Sequence, residues 1–374
     1  EIIRAGIQSI DIGQTEAATS VPIWSSELTA LWPKPGLLVW AASGGGYWGR
    51  YYPMAMDIGV ARVASDFAAP NCLGCWWPWW SDQNRLLAFD VSDPAAPGWA
   101  SEAAMTPTNA YSFSRAFAAE GLVYFSHATS EFVPGLDSPW KTYGYTNIYV
   151  DSSSGLRVTN ITPAGSWVER YFLNVVDYAD ATTPTLRQAV SISGALQGIS
   201  HQGALLYASR THYQKAATAT GYTWSYLVDA LAYDGVAAHL VDSLRLSNYW
   251  STPLVVAGAQ VYLGRTDSDS SAQPGYLETW TMADTGKFTR LSQAKLNRPA
   301  YSLQALNDLL IAQENDNSLA LFDLGNPAAP RLLSEAKPPT CYWIDLAHAD
   351  GDKSRGLWVP MSGYGVAHIP IGVK

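Results

Sequence analysis

Ionisable groups able to bind ligands or move protons recur at the ends of apolar, strand-like runs. They read Ser126-His127, Ser209-Arg210-Thr211-His212, Gly264-Arg265-Thr266-Asp267 and Gln313-Glu314-Asn315. Arg210 and Arg265 fall at nearly equivalent places in their runs, with His127 one position away in the same alignment. Guanidinium groups converging near one axis would hold a carboxylate, sulfate or uronic acid through charge-assisted hydrogen bonds. With a His base beside them, such cations would suit a polysaccharide lyase that neutralises a uronate. His127, Arg210, His212 and Arg265 are therefore the candidate catalytic set. The competing explanation is that strand ends reach water and are polar for that reason alone.

Aromatic residues form a second kind of candidate. Trp76, Trp77, Trp79 and Trp80 surround Pro78, directly after Cys72-Leu73-Gly74-Cys75. Tyr47 and Trp48 open the run Tyr47-Trp48-Gly49-Arg50-Tyr51-Tyr52 after three glycines. An exposed indole offers a sugar ring a large apolar face with a polar N–H. Alternate residues of a strand face opposite ways, so half of such a run would otherwise be core. The three glycines make no phosphate loop, because no Lys-Ser/Thr and no helix follow them.

Other chemistries have little support. Cys72 and Cys75 lack the second pair of a zinc ribbon and the following His of a haem site. A local disulfide or two inert thiols is expected there, and Cys341 stands alone. Asp267-Ser268-Asp269 and Asp350-Gly351-Asp352 have calcium-loop spacing, but neither continues to a bidentate Glu. The six His are scattered, and no G-x-S-x-G elbow exists. No metal and no cofactor is expected.

The elements that position these residues must come from a chain of 374 residues, 15% charged, with net charge -9, 16 Trp and 21 Tyr. This composition excludes disorder. It also disfavours nucleic acid as a partner, since no basic excess exists to neutralise phosphates. No apolar run approaches the roughly 20 residues of a membrane span. Low charge with abundant Trp, Tyr, Ser, Thr and Gly suggests an extracellular, periplasmic or cell-surface protein. The opening Glu1-Ile2-Ile3-Arg4 suggests that a leader or upstream region has been removed.

An internal repeat organises the chain. Leu86-Leu87-Ala88-Phe89-Asp90-Val91-Ser92-Asp93-Pro94-Ala95-Ala96-Pro97 returns as Leu319-Ala320-Leu321-Phe322-Asp323-Leu324-Gly325-Asn326-Pro327-Ala328-Ala329-Pro330. A weaker copy, Val176-Asp177-Tyr178-Ala179-Asp180-Ala181-Thr182-Thr183-Pro184, keeps both acids and the last proline. Fainter marks lie near Asp11, Asp57, Asp234, Met282 and Pro370. The apolar run reads as a buried strand and the Asp/Pro piece as a turn, where Asp accepts from backbone N–H groups two residues on. Hairpins precede the turns, with Glu120-Gly121, Gln202-Gly203 and Asn307-Asp308 between their strands. Each repeat is thus four strands, and four-stranded antiparallel units of roughly 40 to 50 residues are propeller blades. The expected fold is all-β: one β-propeller domain over 1–374 with seven blades, eight being the alternative count. Seven results if N-terminal strands complete the blade left open at the C-terminus.

These residues resemble the bacterial LVIVD-repeat β-propellers, whose repeat reads apolar-apolar-Asp-Val-Ser-Asp-Pro-x-x-Pro. The likeness is strong at Phe89 to Pro97 and Phe322 to Pro330, fair at Val176 to Pro184, and degenerate elsewhere. It implies a propeller, usually exported or at the cell surface, and carries no catalytic residues.

In a propeller the connections between second and third strands share a face with those entering the next blade, and ligands usually bind there. One such connection is far longer than its neighbours, an insertion at about 126–170 holding Phe132, Trp140, Tyr143, Tyr145, Tyr149 and Trp167. A connection that long in a compact domain is usually functional or has structure of its own. Asn147 to Val150 and Leu156 to Val158 could form an extra hairpin in it. The expected function is a non-catalytic binding or scaffolding module, contacting another protein, a larger assembly or a surface glycan. Trp76, Trp77, Trp79, Trp80, Tyr47, Trp48, Trp140, Tyr143 and Tyr145 are the candidate contact residues. The alternatives are a lyase acting on acidic glycans and a subunit of an extracellular layer or filament.

Overall fold

A computed structural model describes residues 26–44, 85–93, 95–105, 112–138, 141, 143–150, 156–215, 221–247, 253–266, 274–338, 344, 346, 349–361 and 365–371. Their strands form a β-propeller of antiparallel blades in chain order. Blade 1 is Ser26–Lys34, Leu37–Gly44, Arg85–Asp90 and Gly98–Ala104. Blade 2 begins with Ser112–Phe113 and Phe117–Ala119, continues with Leu122–Pro134 and Gly165–Asp177, and ends with Thr185–Leu186 and Val190–Ile192. Blade 3 is Ala195–Ser200, Leu205–Lys215, Tyr222–Tyr233 and Ala238–Ser247. Blade 4 is Leu254–Ala257, Gln260–Thr266, Gly275–Met282 and Phe288–Leu296. Blade 5 is Ala300–Leu306, Leu309–Glu314, Leu319–Asp323 and Arg331–Ala336. Blade 6 has three described strands, Asp350–Asp352, Gly356–Pro360 and Val366–Ile369.

Among the described residues the blade count is therefore six, not seven or eight. The reason is visible in blade 1. Its second and third strands pair directly, Leu37 with Asp90 through Ala42 with Arg85. Asp57 falls between these two directly paired strands in the chain and lies, like Asp11, outside the described residues.

The repeat motif closes the third strands of blades 1, 2 and 5 as its residue types require. The Asp90 carboxylate accepts from the Ser92 N–H at 2.9 Å and the Ser92 hydroxyl at 2.6 Å. Asp177 accepts from the Ala179 N–H, Asp180 from the Thr182 N–H and Asp323 from the Gly325 N–H. Each acid thus satisfies the backbone of its own turn. These contacts hold the Asp180 carboxyl down at about 2, the Thr182 hydroxyl being the largest cause.

One repeated feature has no residue signature. A register shift between third and fourth strands falls at Ala88/Phe89, Ala230/Leu231, Thr279/Trp280 and Leu321/Phe322. Counted from the hairpin pairs Leu37–Asp90, Leu205–Ala232, Gln260–Thr281 and Leu309–Asp323, these are the same place in four blades. A bulge there sharpens the right-handed twist of each outer edge.

The core lies between consecutive blades. Leu31, Val39 and Leu86 of blade 1 pack on Val123, Phe125 and Val176 of blade 2. Tyr124, Leu173 and Val175 face the other way, onto Leu206, Ala208 and Leu231 of blade 3. Successive residues of one strand therefore serve two interfaces, as period-two alternation demands. The series continues through Val228 with Leu263, Tyr262 with Leu310, and Ile311 with Leu357. Tyr124, Tyr207 and Tyr262, at one position of three second strands, are all buried. Part of the aromatic excess is thus inter-blade packing. The Tyr262 hydroxyl donates to the Pro327 carbonyl at 2.9 Å. No helix among the described residues is long and apolar enough to cross a membrane.

Candidate functional site

His127, Arg210 and Arg265 each lie three residues after that buried tyrosine, so they occupy one position in blades 2, 3 and 4. The register removes the one-residue offset expected for His127. It also gives each a partner of the same kind, diagonally across on the third strand. Phe125, Ala208 and Leu263 oppose Asn174, Asp229 and Glu278. Two residues further on, the His127 ring meets Asn174 with Nδ1 and Nδ2 at 2.6 Å. Arg210 Nε donates to Asp229 Oδ2 at 2.8 Å. Arg265 Nη1 donates to Glu278 Oε1 at 3.1 Å.

The three pairs differ in what they leave for a ligand. Asp229 and Glu278 have 0% side-chain exposure, so each holds a guanidinium at the blade interface. Ser243 donates a second bond to Asp229 at 2.6 Å. Glu278 also accepts from Arg290 at 3.1 Å and from the Trp280 N–H at 3.0 Å. Both guanidinium groups are thus tied to buried carboxylates of their own blade. His127 is buried, stacks on Phe172 with ring centres 5.2 Å apart, and has its pKa pushed down by desolvation. Its imidazole is neutral at neutral pH. His212, two residues past Arg210, is exposed.

A cavity of about 510 Å³ opens where second strands end and first strands begin. First strands are innermost in a propeller, and those of blades 2 to 5 supply most of its wall. They contribute Ser114, Arg115 and Phe117, then Ala195 to Gln197, Pro253 to Val255, and Tyr301 to Leu303. Ser126, His127 and Ala128 close one side with Tyr171, and Tyr226 adds a third tyrosine. Of the four candidate catalytic residues only His127 lines the wall; Arg210, His212 and Arg265 do not. The Ser126 hydroxyl accepts from the Leu196 N–H at 2.9 Å and joins two blades at the rim.

Arg115, Gln197, Tyr226 and Tyr301 were not singled out by the sequence. Arg115, Gln197 and Tyr301 sit on or beside short first strands, whose small and apolar neighbours give no chemical signal, and Tyr226 lies within the long third strand of blade 3. The one usable sign is that first strands in a propeller converge on its axis.

The long connection in blade 2 is an element in its own right. Leu122–Pro134 and Gly165–Asp177 pair along their full length, from Asp177 with Leu122 to Gly165 with Pro134. Beyond them Tyr145–Val150 and Arg157–Thr162 form a separate two-stranded ribbon. Thr146, Ile148, Thr159 and Ile161 share one face of it, and Ile148 and Ile161 are exposed, the latter at 70%. Leu156 and Tyr143 are exposed beside it, Tyr143 at 86%. Tyr145 begins the ribbon's first strand. Trp76, Trp77, Trp79, Trp80, Tyr47, Trp48 and Trp140 lie outside the described residues, as do Cys72, Cys75, Cys341 and Asp267 to Asp269.

The second Asp-Gly-Asp turn is engaged internally. Asp352 accepts from the Ser354 N–H and hydroxyl and from Arg355, which hold its carboxyl well below the usual range. Among the described residues no group of three or more His, Cys, Asp or Glu is placed to hold a metal.

No protein-family model matches the chain, and no curated protein matches it significantly. The propeller fold is shown, and the resemblance to LVIVD-repeat propellers rests on the repeat residues alone.

Proposed function

We propose that the chain is an exported, non-catalytic binding or scaffolding module that meets another protein through the face bearing the blade 2 ribbon. The observation that carries this is the ribbon's apolar face, with Ile148 and Ile161 exposed on it and Leu156 and Tyr143 exposed beside it. A two-stranded ribbon is marginal alone in water and gains most from a further apolar surface packed on it. The non-catalytic part rests on the placement of the cations. Arg210 and Arg265 answer buried carboxylates, and neither joins His127 in the cavity wall.

A photo-crosslinking residue at Leu156, introduced in the native source, tests the contact. One defined partner chain should be captured in stoichiometric yield, and I148D together with I161D should abolish it while the melting transition stays in place. Capture unchanged by those substitutions, or none at all, overturns the reading.

One observation favours a lyase as second reading. His127 is neutral, as a base must be, and shares a wall with Arg115. Incubation with polygalacturonate checks it through the ultraviolet absorbance of an unsaturated product. We expect none above a heat-denatured control.

A further inference from the structure

We infer that the cavity continues into an aromatic track on the blade 3 hairpin, and that the two together bind a linear glycan of β-1,4-linked pyranoses. This goes beyond the ribbon contact and does not depend on it.

Register builds the track. Tyr222, Trp224 and Tyr226 alternate along the third strand of blade 3, so all three stand on one face of its hairpin. That face also carries Val228, which packs with Leu263 of blade 4. Tyr226 lies in the cavity wall with Tyr171 and Tyr301. The pair Thr211–Tyr226 is level with Thr266–Gly275, the last described pair of the matching blade 4 strands, so Trp224 and Tyr222 rise beyond it. Tyr213, Trp224 and Tyr222 are half-buried. From Tyr226 to Tyr222 the strand rises roughly 14 Å, at about 3.4 Å per residue.

Neighbouring contacts hold these rings in place. The Tyr213 ring meets those of Trp224 and Tyr222, with centres 5.7 and 5.8 Å away. At the tip, the Asp137 carboxylate of the blade 2 connection accepts from Lys215 Nζ at 2.6 Å and from the Tyr222 hydroxyl. Rings fixed in this way lose little freedom when a ligand settles on them.

Shape and chemistry narrow the class. Tyr and Trp pair a large apolar ring with a polar O–H or N–H, which matches the C–H face and hydroxyl rim of a pyranose. In the cavity wall Gln197 and Ser302 add an amide and a hydroxyl, groups that pair with sugar hydroxyls in either direction. The cavity, about 510 Å³, lies in the range of about 300 to 1,000 Å³ usual for small-molecule sites. A row of aromatic rings leading out of it calls for a ligand that is itself a row of rings. The row follows a strand and runs nearly straight, as a β-1,4-linked chain does, whereas an α-1,4-linked chain coils away from it.

Titration calorimetry on the whole chain tests this with cellopentaose, xylopentaose and chitopentaose, each beside its own monosaccharide. At least one pentasaccharide should bind, and at least tenfold more tightly than its monomer. W224A should weaken it about tenfold, and W224F by less. Q214A, on the opposite face of the hairpin, should leave it unchanged. S302W, placing an indole in the cavity, should weaken it about tenfold or more. Maltopentaose, the coiled α-1,4 chain, should bind at least tenfold less tightly than the best of the three. Circular dichroism on each variant separates lost binding from lost fold. No binding by any of the three, a pentasaccharide no tighter than its monomer, maltopentaose bound as tightly, or a folded W224A protein that binds normally overturns the inference. If glycan binding fails while the Leu156 crosslink persists, this inference alone falls. If the crosslink fails while a glycan binds, only the scaffold reading falls.

Discussion

At the scale of single residues, the diagonal pairs on second and third strands decide what ion pairing contributes. Removing one partner of a buried pair is expensive when a charge is left without company. Arg210→Ala leaves the buried Asp229 with Ser243 alone. Arg265→Ala leaves Glu278 with Arg290 and the Trp280 N–H. We expect Arg210→Ala to destabilise by about 3 kcal/mol and Arg265→Ala by about 1 kcal/mol, read as urea midpoints at constant slope. Equal losses would show that the extra donors on Glu278 do nothing. His127 gives a pH prediction. Burial lowers its native pKa below the ordinary 6.5. As pH falls below about 6.5, the unfolded chain takes up a proton that the native state refuses, so stability declines. The decline continues until the native pKa is passed. His127→Gln, which keeps a polar partner for Asn174, should flatten that part of the stability profile. The strand-end polarity of these residues was legible in the sequence. Their partners were not, because Asn174, Asp229 and Glu278 lie many residues away and only cross-strand register brings them opposite.

At the scale of elements, turns were readable and bulges were not. An Asp that caps its own turn leaves a local mark, so Asp90, Asp177 and Asp323 announced three blades. The bulge beside Phe89, Leu231, Trp280 and Phe322 answers to twist, which many side chains tolerate. The blade count failed for a related reason: an apolar-Asp-apolar triplet such as Met56-Asp57-Ile58 does not by itself mark a blade, and this one falls in the chain between two directly paired strands of blade 1. Hairpin turns provide a sharp comparison. A Cβ on Gly203 would fall 2.2 Å from the Tyr124 hydroxyl, at a φ of +93. A Cβ on Gly121, at a φ of +80, would meet nothing within 4 Å. Gly121→Ala should destabilise by about 1 kcal/mol through backbone strain alone. Gly203→Ala should destabilise by about 3 kcal/mol, because the buried tyrosine must also move. Thermal melts of the two variants isolate the packing component. Replacing residues 139–163 by a short turn should leave the propeller's melting temperature nearly unchanged. The ribbon has its own pairing, and the blade strands beneath it stay paired from Pro134 to Asp177.

For the molecule as a whole, five core clusters in series bind each blade to the next. Leu206 is fully buried between blades 2 and 3. Leu206→Ala should destabilise by about 2 to 5 kcal/mol. Calorimetry should still show one transition, because neither neighbouring blade keeps both of its faces covered if the other opens. Two resolved transitions would show that the blades unfold independently. The fold class was legible at this scale because repetition survives degenerate copies. The cavity was not, since its wall is assembled from short segments of four blades that lie far apart in the chain. The serial arrangement also has a temporal meaning. A blade emerging from the ribosome or an export channel finds its predecessor already made and presenting an apolar face. Each addition covers that face and offers a new one, so order can grow in the direction of synthesis, with few long waits for distant partners.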